Sequence, residues 1–472
     1  MTMEKITTRT SATFAALAVL AFVAAGRPAG AREAADTVSV SLDRAIELGL
    51  TADETLAQAG EGVRSAEAMV REARSGMIPR LDLSARYGRN IMKPVLFIPS
   101  EMGEAFGGVT KIELGEDNEA SAAAAATWNI WTAGRVSSAV EAARAMAEAA
   151  RRGREATEDY VVFNVMEAYY GALLAGANLE ISEMALASAA EAARVARAGF
   201  EEGTVSRFDL LRAEVELENR RAPLVAARNE LDRAMLVLKR RCGLGPETRL
   251  VLTDDFGPVD PPEDPGTLMG MMAGSNPELA ALQHRVEAAR MSLEMEKAER
   301  WPALQLGANY ILQSQWSGDP LPDDDNLAHS AAVTIGLNYP LFDGFRARAR
   351  IVQAKADLRS AELEYERVMR QRELDVRVSR LELENAIEAL RGRKEAVELA
   401  EEAHRLALVR MRNGLATPLE RLDAELALTT ARGQHVAALY AVNMAEAALE
   451  LTAGTISSGS SGEGRRMEGE SR

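Results

Sequence analysis

The sequence predicts a mostly α-helical protein with a small membrane β-barrel, built from two copies of a helix–strand–strand–long helix unit. Three observations predict it. The segment Gly203-Thr-Val-Ser-Arg-Phe-Asp-Leu-Leu-Arg-Ala213 returns 211 residues later as Gly414-Leu-Ala-Thr-Pro-Leu-Glu-Arg-Leu-Asp-Ala424, and the same offset carries Trp131 onto Phe342 and Arg135 onto Arg346. A second offset, 223, carries Ile78-Pro79-Arg80-Leu81 onto Trp301-Pro302-Ala303-Leu304 and Asp53-Glu54-Thr55-Leu56 onto Asn276-Pro277-Glu278-Leu279. A unit of roughly two hundred residues is too long for a solenoid and indicates duplication of a whole structural half. Finally, each half places two alternating runs before a long proline-free stretch rich in helix formers.

The elements follow in order. Residues 1–31 read as a signal peptide, with Lys5 and Arg9 before the apolar run Ala12 to Ala25 and a small-residue cleavage site at Ala29-Gly30-Ala31. The first repeat spans 38–245. Its opening helix, 41–77, has Ser41 as N-cap and a stripe of Leu42, Ala45, Ile46 and Leu50, and Pro79 ends it. A strand at about 80–89 alternates Leu81, Leu83, Ala85 and Tyr87 with Asp82, Ser84, Arg86 and Gly88. After a polar, Gly-rich stretch, a second strand at about 121–131 sets Ala126, Trp128 and Ile130 opposite Thr127 and Asn129. The helix that follows, Ala133 to Ala198, would be about 100 Å long at ~1.5 Å per residue, so it must lie side by side with other helices. Beyond Gly203 a helix returns from Ser206 to Arg241, interrupted near Pro223.

A linker at 246–265 holds five of the sixteen prolines. The second repeat, 266–455, contains a helix from Pro277, strands at about 303–313 and 331–341, a second long helix and a last helix from Thr417. The tail 456–472 is rich in Ser, Gly and charge and reads as disordered.

Strands of this length, apolar on one face and polar on the other, suit a tilted membrane strand between lipid and water. A soluble sheet with one buried face explains the alternation, but not the export signal or the tryptophans. Trp128, Trp131, Trp301 and Phe342 stand near the ends where strand meets helix, the place of an aromatic membrane belt. Beyond the signal, no run reaches the roughly 20 apolar residues of a membrane helix. Four strands cannot close a barrel, and open edges are not tolerated in lipid. Three copies would supply twelve strands, with the long helices extending as a tube from one rim.

The order of these elements, with Pro-Leu-Phe-Asp-Gly at 340–344 before Arg346, Ser-Asn-Pro-Glu-Leu at 275–279 and tip segments at Gly203 and Gly414, resembles the TolC-like outer-membrane efflux proteins. The resemblance covers roughly residues 38–455. Two places depart from it: Asp53-Glu54 stands where the family often has Asn-Pro, and Trp131-Thr-Ala-Gly-Arg135 replaces an aromatic-Asp-Gly turn. The resemblance implies a homotrimer in the outer membrane of a Gram-negative-type cell, sharing one 12-stranded barrel, with an α-helical tunnel crossing the periplasm. It also implies an exit duct of a tripartite efflux or type I secretion system. The partners would be a periplasmic adaptor (membrane fusion protein) and an inner-membrane RND, ABC or MFS pump. No cofactor and no covalent chemistry are implied.

Both tips carry an S/T-x-x-D/E capping signature, Ser206 with Asp209 and Thr417 with Glu420, in which the carboxylates are expected to satisfy free helix amides. Gly203 and Gly414 are expected to end helices in a left-handed conformation. From the resemblance come two further roles. Glu420 and Asp423 match the acidic positions lining the closed aperture, six carboxylates in three chains. Gly203, Thr204, Val205, Gly414, Leu415 and Ala416 match the tips that contact the adaptor. Arg212 occupies the place of Asp423 in the first copy, so a gate belongs to the second.

Other chemistry finds no support. The net charge is −16 for the whole chain; removing a signal segment of +2 leaves −18, which argues against nucleic acid. Cys242 is the only cysteine, so there is no disulfide within the chain. His284, His329, His404 and His435 stand singly, without metal-ligand spacing, and the nineteen methionines read as core filling. Residues 102–115 lack a phosphate-loop lysine. No enzyme site can be composed. The alternative is an exported structural or adhesive coiled coil, which would carry strands at one terminus rather than in duplicated internal pairs.

Overall fold

The computed structural model describes residues 37–97, 111–259, 261–318, 327–413 and 415–457. The expected signal peptide, Gly414 and residues 458–472 of the expected tail lie outside them. The chain runs β1 (Thr37–Val40), α1 (Leu42–Ala52), α2 (Glu54–Ser75), β2 (Arg80–Arg89), β3 (Val95–Phe97), β4 (Lys111–Glu113), β5 (Asn118–Trp131), α3 (Arg135–Glu201), α4 (Arg207–Arg241) and β6 (Arg249–Leu252). It continues through α5 (Pro265–Ser275), α6 (Pro277–Ala298), β7 (Ala303–Trp316), β8 (Leu327–Asn338), α7 (Arg346–Arg412) and α8 (Pro418–Ala453).

Helices α3 and α7 have 67 residues each, about 100 Å at ~1.5 Å per residue. No single core can bury rods of that length. They are stabilised laterally: α3 packs on α2, α4, α6 and α8, while α7 packs on α6 and α8. Small residues permit the close approach; Ala145, Ala147, Ala149, Ala168, Ala172, Ala185, Ala189 and Ala193 are among the buried residues of α3. Larger side chains gather partway along the rods. One cluster joins Val162, Val165 and Tyr169 of α3 to Val40, Ile46, Leu238 and Ile456; another joins Leu268, Met272 and Leu279 to Val376, Leu383 and Val442.

The main sheet has the order β2-β5-β7-β8 and is antiparallel throughout, with Leu81 opposite Ala126, Ala124 opposite Tyr310, and Leu306 opposite Ile335. Its edge strands, β2 and β8, each have one side without a partner strand among the described residues. Apolar side chains there stand in the open: Leu83 is 82% exposed and Val333 is 75% exposed.

The fold differs from the sequence expectation at five places. The opening helix is two helices, because Asp53 is extended and its carboxylate accepts from the Thr55 and Leu56 amides at 2.8 and 3.1 Å, starting α2 afresh. Asn276 does the same for α6 through the Leu279 amide at 3.1 Å, so the departure at Asp53 keeps the capping chemistry. Pro223 does not interrupt α4; it and Asn219 are exposed, where water can satisfy the carbonyl that loses its partner. The proline-rich linker contains β6, which pairs in parallel with β1, and its last residue begins α5. Short strands β3 and β4 pair inside the expected polar loop. Order extends past 455, since Ile456 is 1% exposed in the core. In addition, α8 from Leu419 contains an 18-residue stretch apolar enough to cross a membrane by composition. It lies on α7 and α3 instead, burying Val442, Ala447, Leu449 and Ala453.

Candidate functional site

The site of interest lies where the long helices turn back, a rod's length from the sheet. In the first tip, Gly203 has φ 74° and lets the chain reverse without a Cβ clash. The amides of Thr204 and Val205 both donate to the Gly199 carbonyl, at 2.8 and 3.1 Å, and the Thr204 hydroxyl adds a third bond at 3.0 Å. Val205 folds back over Gly199 so closely that a Cβ there would lie 2.5 Å from Val205 Cγ2. Gly199 was not singled out in the sequence; only the turn's closure makes it necessary.

Both returning helices are capped, but the roles of the pair differ from expectation. Ser206 Oγ accepts from the Asp209 amide at 3.1 Å, and Thr417 Oγ1 accepts from the Glu420 amide at 3.3 Å. Among the described residues the Asp209 carboxylate satisfies no helix amide; it accepts from the Ser206 hydroxyl at 2.6 Å, orienting the cap. Glu420 stands likewise to the Thr417 hydroxyl at 3.5 Å.

In the second tip the Leu415 amide donates to the Arg410 carbonyl at 2.8 Å, while the Arg410 guanidinium donates to the Leu415 carbonyl at 3.1 Å. The same guanidinium lies 3.7 Å from Glu420 Oε2. Leu415 is 69% exposed, as a projecting knob would be. Asp423 is exposed and has no ion pair or hydrogen bond among the described residues. Glu420 and Asp423, three residues apart, share the open side of α8. Arg421 and Glu425 share the inner side, paired at 3.4 Å and only 12% and 9% exposed.

The two tips lie side by side. A groove of 530 Å³ runs between them, lined by Val195, Val205, Met411, Leu419, Leu422 and several alanines. Arg421–Glu425 and a second pair, Arg220–Glu216 at 2.6 Å, sit on its walls. Charge reaches across it: Arg194, bonded at 2.6 Å, holds the Glu191 carboxyl of α3 below its usual range, and Arg421 of α8 adds to the effect. These inner pairs were missed in the sequence, although the i,i+4 spacing of Arg421 and Glu425 was a usable signal.

At the opposite end, Trp128, Trp131, Trp301 and Phe342 stand at the helix-side rim of the sheet, 39%, 48%, 64% and 77% exposed. Trp128 donates to the Met77 carbonyl at 2.9 Å, tying β5 to the end of α2. Trp316 lies at the far rim, 4% exposed and 6.1 Å from the Tyr87 ring.

Paired helical hairpins about 100 Å long, joined at one end to an open antiparallel sheet with exposed apolar strands, define the subunit of a TolC-like outer-membrane channel. The chain belongs to the outer membrane efflux protein family, whose pattern matches residues 45–244 and 268–455. Family membership puts it in the outer membrane, with the helices on the periplasmic side. It is similar to Protein CyaE of Bordetella pertussis, 28% identical over 333 residues that cover 68% of this chain and 65% of that protein. It is also similar to the alkaline protease secretion protein AprF of Pseudomonas aeruginosa, 26% identical over 65% of this chain and 63% of that protein. The chain thus matches just under two thirds of the length of each. The crystal structure of the outer membrane protein VceC from Vibrio cholerae superposes with a TM-score of 0.71 at 20% identity, covering 88% of this chain and 96% of that one.

Proposed function

We propose that three copies of this chain close one twelve-stranded barrel in the outer membrane and one helical tunnel beneath it, serving as the exit duct of a tripartite efflux or secretion machine. The observation that carries this reading is the four-stranded sheet with two unpaired edges and bare apolar residues on β2 and β8, joined to helices far too long for a globular core. Duplication of the halves is part of the reading. The offset of 211 carries Arg135–Glu201 onto Arg346–Arg412, and the offset of 223 carries Leu42–Ala52 and Glu54–Ser75 onto Pro265–Ser275 and Pro277–Ala298.

The duct does no chemistry of its own; an inner-membrane RND, ABC or MFS pump supplies the energy through a periplasmic adaptor. Gly203, Thr204, Val205, Gly414, Leu415 and Ala416 are the adaptor-contacting tips, a role supported by the exposure of Thr204 and Leu415. Trp128, Trp131, Trp301 and Phe342 form the membrane belt. Asp423 is the principal gate carboxylate, because it is exposed and unpaired, and Glu420 is the lesser one, because Arg410 offsets its charge. The named secretion role of AprF and the family's efflux description support an export duct. Family membership does not favour the adhesive coiled-coil alternative. The test is purification in detergent followed by mass measurement and planar-bilayer recording. A trimer that conducts, with cations preferred, is expected; a monomer, or a trimer that passes no ions, would overturn the reading.

A further inference from the structure

Every passage between helix and strand at the helix-side rim of the sheet carries an arginine. Arg80 opens β2, Arg135 opens α3 just after β5, Arg300 lies just before β7, and Arg346 opens α7 just after β8. All four are exposed. Across the four passages, residues 74–82, 131–136, 298–304 and 339–350, there are seven arginines and three carboxylates, a net of +4 in a chain whose total is −16.

The local carboxylates do not use up this charge. Asp82 pairs with Arg80 at 2.8 Å, and Glu299 is shared between Arg346 at 3.3 Å and Arg350 at 3.0 Å. Asp343 accepts from the Ala347 amide at 2.8 Å. Arg74, Arg135, Arg300 and Arg348 have no ion pair among the described residues. The far rim carries no such excess. Among the described residues there, 86–97 and 111–119 hold four basic and four acidic side chains, and 314–318 hold no charge. Among the described residues the sheet is therefore +4 at one rim and neutral at the other.

The basic rim is also the apolar one. Trp301, Leu341, Phe342 and Phe345 on the same passages are 64%, 88%, 77% and 65% exposed. Guanidinium groups beside bare aromatic rings, at the edge of an apolar band, match the headgroup level of a bilayer, where rings sit among acyl chains and cations meet phosphate. We propose that these arginines form a belt that binds the phosphodiester headgroups of anionic phospholipid in the periplasmic leaflet, and that this contact sets the depth of the barrel. This rests on the channel reading above, which puts the helices in the periplasm.

The test uses the purified full-length protein in neutral detergent, with native mass spectrometry counting retained lipid after addition of phosphatidylglycerol or phosphatidylcholine. Wild type should retain phosphatidylglycerol in preference, by roughly fivefold or more, the factor one arginine at a charged headgroup contributes. The variant Arg80→Gln/Arg135→Gln/Arg300→Gln/Arg346→Gln should lose that preference, while Arg64→Gln/Arg221→Gln/Arg391→Gln/Arg405→Gln, with the same charge removed along the helices, should keep it. Equal retention of both lipids by wild type, or an unchanged preference in the rim variant, would overturn the proposal. If the fourfold rim variant does not fold, the single changes Arg135→Gln and Arg300→Gln decide, since neither breaks an ion pair. Inorganic phosphate at matching concentration should not compete with the lipid; full competition would replace the lipid belt by a free-anion site. Bilayer conductance of the same wild-type sample separates the two ideas: a conducting protein without lipid preference loses only the belt, and a non-conducting one loses the channel.

Discussion

Adding one methyl group at Gly199 should loosen the first tip and leave the rest of α3 in place. The new Cβ would lie 2.5 Å from Val205 Cγ2, where ordinary contact begins near 3.4 Å, and 3.1 Å from Thr204 Oγ1. Rotating the Val205 side chain gives only partial relief, because its Cβ would still lie 3.3 Å from the new methyl and its amide, bonded to the Gly199 carbonyl at 3.1 Å, holds that Cβ in place. Overpacking of this kind costs about 1–3 kcal/mol. Alanine recovers about 0.5–1 kcal/mol over glycine inside a helix, so a net local loss of about 0–2.5 kcal/mol remains, about 1.2 kcal/mol at mid-range. At a factor of ten for every 1.4 kcal/mol, tip amides should exchange roughly 7 times faster at mid-range and roughly 60 times at most. Hydrogen exchange read by mass spectrometry on peptides spanning 199–209 is the assay, with peptides from the middle of α3 as internal control. The double variant Gly199→Ala/Val205→Ala removes the clashing methyl and should return toward wild-type exchange. Slower exchange in Gly199→Ala, or a double variant no better than the single, would refute the argument.

Three further outcomes are expected. Asp423→Asn should move the reversal potential in a salt gradient toward parity between cation and anion more than Glu420→Gln does, and Arg410→Gln should strengthen cation preference by freeing Glu420. Tyr169→Phe should lower stability by about 1–3 kcal/mol in denaturant titration, because the hydroxyl donates to the Val40 carbonyl at 3.1 Å and accepts from the Asp254 amide at 3.3 Å in the core. Burial pushes that phenol to about 12, so its contribution persists to about pH 10 and is lost only as pH climbs through the folded value. Asp159 is 5% exposed, and burial raises its pKa above the usual carboxylate value. The neutral form is thus favoured on folding, and stability falls as pH rises through the folded pKa. Asp159→Asn should therefore raise the melting temperature at pH 7, with the gap to wild type narrowing as pH is lowered.

Much of the fold was legible in the sequence because its signals were periodic and long. The strand at 80–89, the rods after Trp131 and Phe342 and the caps at Ser206 and Thr417 all rest on local spacing that survives any tertiary context. Short elements were not legible. Strands β1 and β6, four residues each, exist only because the stretch after the first hairpin returns to lie beside the start of the chain. The break at Asp53 and the continuity through Pro223 turn on a side-chain bond and on exposure, neither of which residue identity alone decides.

At the tips, residue types announced acidic candidates but not which of them is free. Glu420 and Asp423 look equivalent in sequence; the path of the Arg410 side chain back to the turn separates them. Gly199 looked like one more residue of an alanine-rich helix until Val205 folded over it. What the sequence by itself determined is the periodic matter: rods, alternating strands, caps, and the matched positions of the two halves. What only the tertiary structure decided is which groups meet. Ion pairing, close approach and the burial of Asp159 and Tyr169 depend on distances of a few ångströms between residues far apart in the chain, and no local pattern encodes those.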